Sequence, residues 1–119
     1  MNKPLIKQIA LMLAVLAASF AAALAQTAAI TSSESEVVPQ DANRRWIIIA
    51  NPAGNPAMVL KLDQSSAALT MSNGIPLAAG EKLAIFDTER VQIAGYRITA
   101  LHGNGTNVHY LHIQFGRGR

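Results

Sequence analysis

A chain of 119 residues, half of them hydrophobic and 14% charged, leaves room for one domain and little more. Part of its formal charge of +3 comes from Lys3 and Lys7 at the N-terminus. The rest lacks the broad basic face of a nucleic-acid reader, since only Arg44-Arg45 and the tail residues Arg117 and Arg119 are grouped. The absence of cysteine excludes a disulfide scaffold, so association with further copies or with a larger assembly becomes the expected way to complete a thin core.

Residues 1–25 read as a secretory signal peptide: two lysines, an apolar run, then small residues at Ala23 and Ala25, which place the cut between Ala25 and Gln26. A retained signal-anchor helix is the alternative, because the run sits at the lower edge of what spans a bilayer. Both place the rest outside the cytoplasm, in the periplasm, the medium or a virion surface, with membrane contact only through an uncleaved 1–25. Residues 26–43, with Thr-Ser-Ser-Glu-Ser-Glu at the centre, show neither strand nor helix period and predict a flexible polar arm. Alternatively the arm lies on a neighbouring subunit through Val37 and Val38.

The domain is expected over residues 44–116, followed by a loose basic tail at 117–119. Residues 45–50, Arg-Trp-Ile-Ile-Ile-Ala, predict a central strand. After a Pro/Gly loop, residues 58–62 alternate and predict a half-buried strand paired back on the first. Residues 67–71 predict a weaker strand. The stretch Asn73-Gly74-Ile75-Pro76-Leu77-Ala78-Ala79-Gly80-Glu81 reads as a corner between two sheets: Asn73-Gly74 for a positive-φ turn, Pro76 for a short edge strand, Gly80 for a second reversal. Residues 82–86 send Leu83 and Ile85 inward, residues 87–90 turn, and residues 91–93 form a short extended piece. Residues 96–101 place Tyr96, Ile98 and Ala100 on one face. Asn104-Gly105 is the strongest hairpin signal, leading into a last strand at 107–115. The sum is an all-β chain, a small antiparallel sandwich or flattened barrel of six or seven short strands.

No residue set points to catalysis, a metal or a cofactor. His109 and His112 fall on opposite faces of one strand, and with His102 read as surface side chains. Ser65, Ser66 and Ser72 sit in turns without a nucleophile elbow, and Asp87 and Glu89 read as solvated carboxylates of a turn. Asn104-Gly105-Thr106 matches a glycosylation acceptor but is explained by the turn. Trp46 and Tyr96 would make a sugar-stacking platform if exposed; the alternative puts Trp46 in the core beside its isoleucines.

Arg44-Arg45-Trp46-Ile47-Ile48-Ile49-Ala50-Asn51-Pro52, the alternating 58–62, the Gly-Ile-Pro-Leu-x-x-Gly-Glu corner at 74–81 and Gly105-Thr106 before the last strand together resemble a group of small all-β structural proteins of bacteriophages. The resemblance covers roughly residues 44–115, and the corner is its most specific part. It implies a non-enzymatic virion component that decorates a capsid or belongs to a fibre. Two other functions are open on the residues alone: a secreted adhesin or filament subunit that uses residues 26–43 as an inter-subunit strand, and a periplasmic carbohydrate-binding module.

Overall fold

The computed structural model describes residues 24–62 and 67–117. The expected signal or anchor segment before Leu24 lies outside them, as do the turn at 63–66 and the last two residues. The described chain contains eight strands and no helix: β1 Leu24–Ile30, β2 Ser35–Val38, β3 Trp46–Ala50, β4 Met58–Lys61, β5 Ile75–Leu77, β6 Lys82–Phe86, β7 Ile98–His102 and β8 His109–Gly116. They form two antiparallel four-stranded sheets, ordered β1-β8-β3-β6 and β2-β7-β4-β5. Every connection except β4 to β5 passes from one sheet to the other, which is the strand order of an eight-stranded jelly roll.

Between the sheets lies one core. Ala28, Ile30, Ile47, Ile49, Ile85, Leu111, Ile113 and Phe115 enter it from the first sheet; Val38, Met58, Leu60, Leu77, Ile98 and Ala100 enter from the second. The two-residue period explains the first set. In β3 and β8 alternate positions are buried, with the intervening ones turned away. β7 is different, with all five residues buried, because it is flanked by β2 and β4 and covered on its outer side too.

That cover corrects one expectation. Residues 67–71 are not a strand but part of a loop laid over the second sheet, where Leu69 closes a small apolar cluster with Val59 and Leu101. The backbone N–H of Leu69 donates to Glu34 Oε1 at 2.9 Å, Asn73 Nδ2 donates to Ala68 O, and the N–H of Thr70 donates to Asn73 Oδ1. Gly74 lets the loop lie this close, since a Cβ there would be 2.7 Å from Leu69 Cδ1 and 2.9 Å from Val59 Cβ. Its role is close approach, and the expected positive φ at Asn73-Gly74 is absent.

The corner does carry the chain from the second sheet to the first, from edge strand β5 to β6. Glu81 N–H donates to Ala78 O, and Gly80, third of the four residues, has φ 82°, the placement a type II turn demands. Glu81 Oε1 accepts the Ala78 N–H, and Asn51 clamps the turn from the side, its carbonyl taking the Gly80 N–H at 2.7 Å. Asn51 Nδ2 donates to Pro56 O and Leu77 O, tying the loop after β3 to the end of β5.

Further expectations are overturned. Residues 26–43 are not a free arm, because β1 and β2 are integral strands whose Ile30, Val37 and Val38 are buried in the core; the structured unit therefore begins before residue 44. β1 begins at Leu24 and Ala25, opposite Phe115 and Gln114, and so spans the expected cut between Ala25 and Gln26 without bearing on whether that cut is made. β4 does not pair with β3 but lies in the opposite sheet between β7 and β5. The Asn-Gly signal does not close a hairpin, because both sides of β7 and of β8 are already occupied; the loop at 103–108 crosses between sheets instead. Residues 91–93, expected as a short extended piece, join neither sheet.

Candidate interaction surface

The outer faces of the two sheets differ. On the second, Glu34 gathers the polar outer row: its carboxylate accepts from Lys61 Nζ at 2.8 Å, from Thr99 Oγ1 at 2.7 Å and from the Leu69 N–H. Those hydrogen bonds, Lys61 foremost, hold it at about 2, below the usual carboxylate value. The polar centre of 26–43, a spacer by sequence alone, is thus the fastener of the loop that covers this face.

The first sheet has no such cover among the described residues. Its outward row from β1 is Ala25, Thr27 and Ala29; from β8, Tyr110, His112 and Gln114; from β3, Trp46, Ile48 and Ala50; from β6, Lys82, Ala84 and Phe86. Phe86 and Tyr110 are 59% and 53% exposed, large values for aromatic side chains. A shallow trough runs between β1 and β3 over Thr27, Ile48, His112 and Gln114. Small side chains help to make it, with Ala25 on β1 and Ala50 on β3 in its lining.

At one end of this face Trp46 and Phe86, cross-strand neighbours, stack with centroids 6.3 Å apart and planes 21° from parallel. Arg45, Asp87, Thr88, Glu89 and Gln92 border the hollow beside them. Trp46 is therefore neither in the core nor seen stacked on Tyr96. Tyr96, 38% exposed, lines an adjoining hollow with Gln40 and Ala42, which shares Arg45, Asp87 and Gln92 with the first. Sequence reasoning misses Phe86 as a platform residue, although sending Leu83 and Ile85 inward already implies that Phe86 points out.

The grouped arginines prove to be two different residues. Arg44 is buried, with Nε donating to Ala94 O, Nη1 to Pro39 O and Nη2 to Tyr96 O at 2.7 Å, while its guanidinium lies over the Phe115 ring. Burial pushes it down from the usual arginine value, and Asp41 opposes that. Arg45 remains at the surface beside Asp87. The basic pair is thus no patch.

His102 is also internal. The N–H of Asn104 donates to Nδ1, which leaves the ring proton on Nε2, facing Asn107 O at 2.8 Å. Both arms of the loop are held by one imidazole, and His109 meets it edge to face at 4.9 Å. The signal is present in the sequence, since His102 continues the parity of Ile98 and Ala100. His112 is exposed on the outer face. No group of three His, Asp or Glu among the described residues is placed to hold a metal, and no helix there is long and apolar enough to cross a membrane.

Neither family models, curated proteins nor solved structures give a match to this chain.

Proposed function

We propose that this protein is a non-enzymatic structural component of a phage-like particle, decorating a capsid or associated with a fibre, and that it works by surface contact. The observation that carries the proposal is the asymmetry of the two outer faces: one is closed by the Leu69 loop and the Glu34 network, the other presents Phe86 and Tyr110 to solvent beside a half-buried Ile48 and a row of alanines. A face left apolar beside one so thoroughly closed is a contact surface. The strand order adds a fold-level analogy, because jelly rolls recur in capsid and lectin domains. The resemblance of the 74–81 corner supplies the phage context. Proteomics and antibody labelling of purified particles from the source test it. The chain should copurify with particles; free chain in the medium, absent from particles, would replace this reading with that of a secreted adhesin or filament subunit.

A second reading is favoured by Trp46 and Phe86. A near-parallel aromatic pair bordered by Arg45, Glu89 and Gln92 offers a flat apolar platform with hydrogen-bonding groups beside it, the chemistry that takes a sugar ring. Glycan-array binding that disappears in Phe86→Ala would support it, and an array without retention would remove it.

A further inference from the structure

Two four-stranded sheets have four edges, and three of them are blunted. β5 has only three residues and contains Pro76. β2 has four residues, carries Glu36, and its register shifts between Glu36 and Val38. β6 begins with Lys82 on its outer face. β1 has none of these devices: seven residues, Leu-Ala-Gln-Thr-Ala-Ala-Ile, without charge, proline or register break, paired along its whole length to β8 on one side only. Among the described residues, no other backbone hydrogen bond reaches it. An uncharged, regular strand with a bare row of N–H and C=O groups is a template for another strand.

We propose that the strand that completes β1 is β1 of a second copy, antiparallel about a two-fold axis at Thr27, so that two first sheets join into one eight-stranded sheet. This rests on the building-block reading above and names its partner. The sequence of β1 faces itself without conflict. With Thr27 opposite Thr27, Ala25 meets Ala29, Gln26 meets Ala28 and Leu24 meets Ile30. A Thr–Thr pair is favourable across an antiparallel ladder, and no like charges meet. Residues of one parity stay on one side, so the core-facing Ala28 and Ile30 continue the inner face while Ala25, Thr27 and Ala29 continue the open one. Gln26, Thr27 and Ala28 remain at the axis even if the chain is trimmed after Ala25. Such an isologous contact closes on itself, and it doubles the width of the exposed apolar face.

The absence of native cysteine makes the geometry testable on the full chain. Residues directly opposite in an antiparallel pair have Cα atoms about 4.5–5.5 Å apart, within reach of a disulfide. Thr27→Cys should give a covalent dimer on mild oxidation, and Ala25→Cys alone should give little. Ala25→Cys mixed with Ala29→Cys should cross-link. In sedimentation, Thr27→Lys, an exposed position, should weaken dimerisation by about tenfold or more through the two facing ammonium groups, with an unchanged circular dichroism spectrum. An oligomer that persists in Thr27→Lys, together with a Thr27→Cys chain that does not cross-link, overturns the β1 interface and leaves the building-block reading standing. A wild-type chain that sediments as a monomer at every concentration overturns the dimer, while its presence or absence on particles separately decides that reading.

Discussion

The indole of Trp46 occupies the space that a side chain on Gly116 would need: a Cβ built there would lie 2.6 Å from Cε2 and 2.9 Å from Cζ2 of the ring. The two residues are opposite one another on β3 and β8, so the bare backbone of one strand serves as the floor for the aromatic ring of the next. This fixes the Trp46 ring against the sheet, next to the near-parallel ring of Phe86 on β6. Gly116→Ala should therefore lift the indole and cost about 1–3 kcal/mol. Because Trp46 is the only tryptophan, its fluorescence maximum should shift red as the thermal midpoint falls.

Acid should act through Glu34. Its folded-state value, about 2, lies below the ordinary 4.5, so the stability it contributes is complete above pH 4.5 and is lost as pH falls toward 2. Glu34→Gln should lower stability at neutral pH by roughly 1–2 kcal/mol, an amount discounted for the quarter of the side chain that solvent reaches. Denaturant midpoints of the two proteins should differ most at pH 7 and converge near pH 2. A constant gap across that range would mean that the carboxylate's charge is not what holds the loop.

The adjacent arginines should differ sharply in what their loss costs. Arg44→Met leaves the carbonyls of Pro39, Ala94 and Tyr96 without their donor, and the loss should reach about 3 kcal/mol or more. Arg45→Ala removes an exposed side chain 3.9 Å from Asp87 and should cost less than about 1 kcal/mol. Thermal melts of the two variants, measured side by side, check the contrast.

Gly80 and Gly54 make a matched test of backbone conformation, since a Cβ added at either would meet no atom within 4 Å. Gly80 has φ 82°, so Gly80→Ala should cost about 1–2 kcal/mol through strain alone. Gly54→Ala should stay within about 0.5 kcal/mol of the parent. Chemical denaturation of both variants gives the comparison.

Individual strands are legible in the sequence because the unbroken β-branched and aromatic run of 45–50 and the two-residue period of 58–62, 82–86 and 107–115 are local properties. Their partners are not. Nothing in Met58-Val59-Leu60-Lys61 distinguishes the sheet of β3 from the opposite one, because an alternating strand buries the same side chains either way. Asn104-Gly105 signals a reversal, and Gly105 does have φ 64°, but whether a reversal closes a hairpin or crosses a sandwich depends on distant strands already lying beside β7 and β8. Residues 26–43 escape a local reading for the same reason. Gln26-Thr27-Ala28-Ala29 has too few large apolar groups to announce a strand, and only the ladder with β8 makes it one. Of the interaction face, Trp46 is visible as a residue type, whereas the seat that holds its ring against the sheet is the bare backbone of Gly116, far along the chain.

The ladder between β1 and β8 also sets a timetable. β1 cannot complete its ladder until β8 has been made, about eighty residues later in the chain, and the second sheet in turn waits for β7. Neither sheet can close before those late strands are made, so folding is burdened by long loops, in the slow range for domains of this size. Until β8 arrives, the nascent chain remains an open substrate for chaperones and proteases.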